Sequence, residues 1–287
     1  MPHRLSSTDV SFLTAERAQT PAHSGTVQIL QAPEDGFDYD RLFTLIRERI
    51  AFVPRYRQRL RSVPAHVANP VWVDDTDFDL SYHVRRSALP RPGTDEQLAE
   101  LVARIMSRRL DRDRPLWEVY LVEGLEGNRL AILSKTHLAM VDGRSGIDIA
   151  QVMLDISPQP RSSRPDTWSP HLSPSSAELL LGVAGDFVRR PTAAFELVKG
   201  GVSEVRTTAQ RMLAAAEGAA QLLRQAASPA PPSPLNPDIG KARRFATIDL
   251  DLADLKRVKD YHGTTVNDVV LAIVTGALRE WLLMRGE

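Results

Sequence analysis

The chain contains no cysteine among its 287 residues, and this absence excludes several kinds of chemistry. It can form no disulfide, use no thiol nucleophile and bind no zinc ion through thiolates. An excess of one charge is absent as well, because 36 Lys and Arg residues balance 36 Asp and Glu residues. The net charge therefore gives no reason to expect a nucleic acid or an anionic surface as a partner.

Long apolar runs are also missing from the sequence. A helix that crosses a bilayer needs about 18 consecutive apolar residues, and no stretch of the chain approaches that length. The first residues, from Met1 to Ser6, lack the apolar core of a signal peptide. We therefore predict a cytoplasmic protein whose contact with a membrane is at most peripheral.

The composition that remains is that of an ordinary globular protein, with 43% apolar and 25% charged residues. The length allows one large domain or two modest domains with substantial cores. Two stretches rich in Pro and Ser, residues 157–175 and 228–234, are typical of linkers. We predict an N-terminal domain over 1–157, a linker and helical crossover over 158–240, and the beginning of a second domain over 241–287.

Hydrophobic periodicity predicts secondary structure along most of the chain. Apolar residues spaced for one face of a helix occur over 38–49, 95–107, 147–156, 176–227, 252–261 and from 265 onward. Alternating or continuous apolar residues predict strands over 26–30, 70–75, 78–84, 117–122, 130–137 and 247–252. Arginines alternate with other side chains at positions 55, 57, 59 and 61, which favours a solvated strand face or salt bridges between domains over a nucleic-acid patch.

The most informative stretch runs from Leu130 to Gly143. Its apolar beginning predicts a buried strand, and polar residues follow at once. A side chain at a strand end is held rigidly, and the imidazole of His137 is a ready general base near neutral pH. Asp142 and Gly143 mark a sharp turn. A packed, purely structural histidine is the alternative that these residues alone leave open.

The run from His137 to Gly143 resembles the HHxxxDG signature of an acyltransferase superfamily. That superfamily includes the chloramphenicol acetyltransferase-like fold, peptide-synthetase condensation domains and the wax ester synthase/diacylglycerol acyltransferases. Residues 7–13 with 21–25, residues 111–117 and residues 266–272 are similar to the N-terminal segment, the PLW motif and the ND motif of the last group. Because these motifs follow the family's order over nearly the whole chain, the chain is identified as a member of the wax ester synthase/diacylglycerol acyltransferase family.

The resemblance implies an α/β protein, an α+β two-layer sandwich of the chloramphenicol acetyltransferase-like type. It implies acyl transfer from acyl-CoA to diacylglycerol or a fatty alcohol, which forms triacylglycerol or a wax ester. It implies no metal and no cofactor, with acyl-CoA as co-substrate and a neutral lipid alcohol as acceptor. It also leaves room for peripheral contact with the inner membrane or with lipid droplets.

The sequence departs from the signature at one position, because Leu138 stands where the family has its second histidine, the usual general base. The family's catalytic residue therefore does not transfer to this sequence, and His137, the titratable candidate left within the signature, is predicted as a surrogate base that acts directly or through a water molecule. It assigns Asp142 to orienting the strand end and Gly143 to keeping the substrate channel open. The family places Asn267 and Asp268 of the ND motif near the active-site interface, which assigns them to substrate binding; polar caps at a helix start are the alternative that the residues leave open.

Two further hypotheses follow from the same features. The first is a catalytically inactive homologue that binds lipid or acyl-CoA or associates with an active relative. The second, which the PLW stretch argues against, is a condensation domain of the peptide-synthetase kind. In the family a C-terminal domain continues beyond the length of this chain, so the resemblance also implies a truncated product or a separate chain that completes the fold.

Overall fold

The computed structural model describes residues 3–64, 67–141, 153–155, 157, 166–189, 233–235 and 237–286. The chain divides into two compact units, Met1–Arg244 and Phe245–Glu287. The predicted helix over 147–156 and the part of the predicted helix over 176–227 that follows residue 189 lie largely outside the described residues. Each unit is best understood from its own elements.

The elements of the first unit follow the predicted order closely. Its strands are β1 (His3–Arg4), β2 (His23–Gln31), β3 (Gln58–Arg61), β4 (Val71–Asp74), β5 (Val84–Ala88), β6 (Trp117–Leu125) and β7 (Arg129–His137). Its helices are α1 (Ser7–Ala15), α2 (Tyr39–Arg49), α3 (Leu80–His83), α4 (Asp95–Met106), α5 (Leu138–Val141) and α6 (Ser176–Arg189). The strands predicted over 26–30, 70–75, 117–122 and 130–137 and the helices predicted over 38–49 and 95–107 are confirmed.

The main sheet has four strands in the order β2-β7-β6-β5. β7 is antiparallel to both neighbours, whereas β5 runs parallel to β6. The β6–β7 hairpin turns at Gly127 and Asn128, whose φ angles of 72° and 55° lie in the left-handed region. Gly and Asn are the residues that adopt this conformation at low cost, which suits the pair to a tight hairpin turn. The strand carrying the signature is therefore an interior strand.

Helices pack on the two faces of this sheet because its side chains alternate in direction. On one face, Leu98, Leu101, Val102 and Ile105 of α4 join residues such as Ala131 and Leu133 of β7 in a buried cluster. On the other face, Leu42 and Ile46 of α2 lie in a cluster with Val119, Leu121 and Ile132. β7 is thus buried on both sides and offers a rigid support for its last residue.

A second, smaller sheet has the strand order β1-β4-β3. Of the two alternatives for the arginines at 55–61, Arg57 favours the salt bridge over the solvated face, since it is only 4% exposed and pairs with Asp166 of the predicted linker. The predicted strand over 78–84 is wrong in part, because α3 occupies Leu80–His83 and the strand begins at Val84. The side chain of Asp79 accepts a hydrogen bond from the Ser81 amide and thereby starts this short helix.

The second unit consists of two helices, α7 (Leu252–His262) and α8 (Val266–Leu283). Gly263 ends α7 with a φ of 63°, and Thr265 and Asp268 form a capping box at the start of α8, so both predicted helices are confirmed. The predicted strand over 247–252 is wrong, because no described residue pairs with this stretch. An alternating sequence becomes a strand only where another strand supplies hydrogen-bond partners.

Among the helices that the structure describes, none combines the length and the apolar character that a bilayer crossing requires.

Candidate active site

The signature begins at the C-terminal end of β7, where neighbouring backbone holds two consecutive residues in place. The His137 amide donates to the Leu116 carbonyl at 3.0 Å, and the Leu138 amide donates to the Ala22 carbonyl at 3.0 Å. His137 pairs directly with His23 across the β2–β7 ladder. Because both flanking strands hold this strand end, the position of the imidazole is set by the sheet.

The ring of His137 is 1% exposed and has a defined hydrogen-bond partner on one side. Its Nδ1 atom lies 3.0 Å from the Ala139 amide, which can only donate. In the neutral ring the proton is therefore on Nε2. Within the described residues, Nε2 has no hydrogen-bond partner, and it lies 3.9 Å from Oε2 of Glu16.

Glu16 follows the end of α1, and its carboxylate, with 1% of the side chain exposed, is the charged centre of the site. Arg112 donates to Oε2 from Nη2 at 2.6 Å and from Nε at 3.0 Å. Arg109 lies 3.5 Å from the same oxygen. The Ala22 amide donates to Oε1 at 3.3 Å. One buried carboxylate thus joins α1, the start of β2 and the turn that precedes the PLW residues.

The electrostatics of the pair keep His137 neutral and Glu16 ionised. Burial lowers the pKa of His137 to about 4, with Glu16 opposing the change and Arg112 and Arg109 adding to it. Burial acts to raise the pKa of Glu16, but the hydrogen bonds and charge of Arg112 outweigh it, so this pKa lies below its usual value. At neutral pH the imidazole can therefore accept a proton, although its basicity is reduced.

His23 contributes a second imidazole beside the strand end. Its Nε2 atom lies 2.8 Å from the carbonyl of Met106 at the end of α4, so Nε2 carries the proton. Burial, followed by the charge of Lys135, lowers the pKa of this ring to about 4. His23 and His137 are thus both neutral, and the ring of His23 connects β2 to α4.

The sequence also assigned roles to residues beyond this strand end. Asp142 and Gly143 lie outside the described residues. Leu138 is partly exposed, at the first position of α5. Asn267 and Asp268 lie in the second unit at the start of α8, where Asp268 accepts hydrogen bonds from the amide and hydroxyl of Thr265 at 2.9 Å and 2.7 Å. These bonds lower the pKa of the Asp268 carboxyl and make it a helix cap.

Asp268 also lines a groove within the second unit, between α7 and α8. The groove encloses about 740 Å³ and is lined mainly by apolar side chains, with His262 and Asp268 among its polar groups. Such a groove could hold an apolar chain with a polar group at one end. In the part of the chain that the structure describes, no group of three or more His, Asp or Glu residues is arranged to hold a metal ion.

No pattern in the sequence indicates the role of Glu16. It stands in an exposed-looking Ala15-Glu16-Arg17 stretch, and its partner Arg112 is 96 residues away. The only signal was indirect, since Arg112 belongs to the segment that resembles the PLW region. Ion pairs between distant residues leave no periodic pattern in a sequence.

These features match a known family. The model of the wax ester synthase/diacylglycerol acyltransferase catalytic domain matches residues 5–270. The chain belongs to this family. The matched range includes β7, His137 and Leu138.

The relatives include proteins named for diacylglycerol acylation. The probable diacylglycerol O-acyltransferase tgs3 of Mycobacterium tuberculosis is 41% identical over 260 residues, covering 90% of this chain and 96% of that relative. The probable diacylglycerol O-acyltransferase tgs1 of the same organism is 35% identical over 292 residues, covering 99% of this chain and 59% of that relative. The chain therefore spans nearly all of one relative and about three fifths of the other.

A solved structure of the family shares the fold. The wax ester synthase/diacylglycerol acyltransferase from Marinobacter aquaeolei VT8 superposes with a TM-score of 0.65 at 32% identity, covering 99% of this chain and 61% of that chain. The mixed helix and sheet fold of this family, the chloramphenicol acetyltransferase-like fold expected from the sequence, is thus confirmed. The chain spans less than two thirds of the length of the Marinobacter protein.

Proposed function

We propose that the protein is an acyl-CoA-dependent O-acyltransferase that forms triacylglycerol from diacylglycerol, or a wax ester from a fatty alcohol. The observation that carries this proposal is the neutral imidazole of His137, held at a strand end with its proton on Nε2, in a chain of this family. The diacylglycerol acyltransferase names of the relatives support the acceptor. Acyl-CoA is the donor that the family resemblance implies.

The proposed reaction is direct transfer without a covalent acyl-enzyme. The acceptor oxygen attacks the thioester carbonyl while its proton passes to a base, and the C–S bond breaks to release CoA, whose sulfur takes up a proton. His137 Nδ1 is the acceptor atom once the Ala139 amide is displaced by substrate or by a bridging water. General base catalysis of this kind contributes roughly 10²–10⁴-fold, and positioning of the two substrates adds to it.

The remaining assigned residues have supporting roles in this proposal. Asp142 orients the turn after the strand, and Gly143 leaves space for the reacting groups. Asn267 and Asp268 bind substrate in the second unit, where the apolar groove beside Asp268 supports the choice. The proposal needs no metal ion and no cofactor.

Turnover is tested with purified protein, labelled acyl-CoA and either diacylglycerol or a fatty alcohol. We expect product from the unmodified chain and a large loss of kcat in His137→Ala. A matched control is His171→Ala, because His171 is an exposed histidine paired with Asp74. Absence of product with every acceptor would favour the inactive, lipid-binding homologue. Equal turnover in His137→Ala and the control would remove His137 from the mechanism.

Restoring the second histidine gives a converse prediction. Leu138→His places an imidazole at the partly exposed first position of α5, where the family has its base. We expect kcat to rise by about tenfold or more if the substrate channel is intact. Leu172→His is the control, since Leu172 is a 91% exposed leucine. An unchanged kcat in Leu138→His would show that position 138 does not face the reacting groups.

We further propose that α8 contacts a lipid surface. Leu271, Val274 and Leu278 recur at helical spacing and are 55%, 49% and 44% exposed. A separate chain that completes the fold would cover the same side chains. Co-sedimentation of the purified chain with diacylglycerol-containing vesicles, lost in Leu271→Ser/Val274→Ser, supports the lipid surface. No sedimentation of the unmodified chain would favour the partner chain.

A further inference from the structure

We propose that Glu16 is the positioning residue of the signature: its buried carboxylate keeps the proton of His137 on Nε2 and fixes the backbone that carries Leu138. No sequence motif marks Glu16. The inference deepens the proposed acyltransfer function, on which its catalytic meaning rests. It stands on the contacts of one carboxylate with three parts of the chain.

The buried carboxylate of Glu16 is stabilised by partners that hold it in place. Removing an ionised carboxylate from water costs several kcal/mol unless charged and hydrogen-bonding partners compensate. Glu16 is compensated by Arg112, which donates to it twice and also donates to the Leu13 carbonyl at 2.7 Å. Arg112 is thereby fixed against the end of α1, and the carboxylate cannot move away from the strand end without breaking several bonds.

The backbone of one residue, Ala22, links Glu16 to position 138. The Ala22 amide donates to Glu16 Oε1 at 3.3 Å, and the Ala22 carbonyl accepts from the Leu138 amide at 3.0 Å. The backbone at Ala22 therefore connects the carboxylate to the residue that follows the signature histidine. Loss of the carboxylate would free the segment before β2 and, with it, the first peptide of α5.

The two ring nitrogens of His137 have different neighbours. Oε2 of Glu16 lies 3.9 Å from Nε2 of His137, too far for a direct hydrogen bond but close enough for strong attraction in a buried site. The Ala139 amide approaches the opposite nitrogen. Both neighbours favour the proton on Nε2 and the lone pair on Nδ1. The other charged groups that act on the ring are Arg109 and Arg112, and their positive charge would favour the reverse arrangement if Glu16 were neutral.

The experiment first measures which nitrogen of the His137 ring carries the proton and then measures the effect on kcat. Nitrogen-15 NMR of the histidine rings at neutral pH reports which nitrogen of His137 carries the proton. We expect the proton on Nε2 in the unmodified chain and a smaller Nε2-protonated fraction in Glu16→Gln. Glu118→Gln is the matched control, because Glu118 is also a buried carboxylate, paired with Arg85 and Lys135 on the same sheet. The control should leave the His137 tautomer unchanged.

Kinetics separates positioning from general loss of structure. We expect Glu16→Gln to lower kcat by about tenfold or more with KM for acyl-CoA changed by less than about threefold. Glu16→Asp, which keeps the charge, should recover part of kcat. Circular dichroism and the melting temperature establish that each variant is folded. If Glu16→Gln does not fold, Glu16→Asp tests the proposal instead, because its shorter carboxylate should lower the Nε2-protonated fraction and leave kcat below that of the unmodified chain.

The outcomes are distinguishable from failure of the proposed function. A proton on Nδ1 in the unmodified chain would overturn the inference, as would identical effects of Glu16→Gln and Glu118→Gln on the His137 ring. An unmodified chain without turnover, whose tautomer still shifts in Glu16→Gln, would overturn the acyltransferase proposal but support the positioning role. Full kcat in Glu16→Gln with an unchanged tautomer would exclude any role for Glu16.

Discussion

Two buried arginines outside the signature each form an ion pair between distant parts of the chain. Arg49 of α2 donates to the Met153 carbonyl at 2.6 Å and pairs with Asp155. Arg57 pairs with Asp166, and its guanidinium lies over the ring of Trp168. Each arginine satisfies a carboxylate that lies more than 100 residues further along the chain, so each closes a long loop through a single ion pair.

Replacing one of these arginines is expected to be costly. Arg49→Ala removes the ion pair with Asp155, whose side chain is 15% exposed, and the hydrogen bond to the Met153 carbonyl, and should lower the free energy of unfolding by about 3 kcal/mol. Arg41→Ala is the control, because its pair with Asp35 is well exposed and contributes little. Urea denaturation of both variants checks the difference. Equal losses would contradict the assignment of Arg49 to a buried, compensated pair.

At the scale of the element, helix ends are defined by local side chains. α4 begins at a capping box in which Thr94 accepts from the Gln97 amide and the Gln97 side chain accepts from the Thr94 amide. A Thr followed three residues later by Gln is the sequence pattern typical of a capping box, and it depends on no tertiary contact. The prediction was wrong for the stretch over 247–252, where strand formation depends on a partner elsewhere in the chain.

The turn before α4 gives a prediction about glycine. Gly93 has a φ of 84°, and a Cβ added there would lie 1.9 Å from the carbonyl oxygen of Gly124. Gly36 has a similar φ of 77° with nothing within 4 Å of an added Cβ. Alanine at either position costs about 1–2 kcal/mol, because a residue with a Cβ is strained at a positive φ. Only Gly93→Ala adds a steric clash with the backbone.

Thermal denaturation checks this pair of variants. We expect Gly93→Ala to lower the melting temperature several times more than Gly36→Ala, because the clash displaces the β6–β7 hairpin from the start of α4. Similar losses in the two variants would mean that the close approach of residues 93 and 124 is not required for stability.

At the scale of the whole molecule, buried histidines connect stability to pH. Burial lowers the pKa of each of His23, His83 and His137 to about 4. The unfolded chain holds these rings near their ordinary pKa of about 6.5. Between pH 6.5 and 4 the unfolded state therefore binds more protons than the folded state, and the free energy of unfolding falls as the pH falls.

Each such ring contributes a slope of up to about 1.4 kcal/mol per pH unit within that window. Urea denaturation at a series of pH values between 7 and 4 measures the total slope. We expect His83→Gln to make the slope shallower by up to about 1.4 kcal/mol per pH unit between pH 6.5 and 5, where its ring is protonated in the unfolded chain and neutral in the folded one. A stability that is constant from pH 7 to 5 would contradict the burial of these imidazoles in neutral form.

The sequence by itself determined the main helices and strands, the β6–β7 hairpin and the family signature, because periodicity, caps and turns are local properties. It also determined that position 138 carries no proton acceptor. Only the tertiary structure decided that Glu16 faces His137, that the ring holds its proton on Nε2, and that Arg57 is buried. These facts depend on which distant segments meet, and charge pairs 96 or more residues apart leave no trace in local sequence pattern.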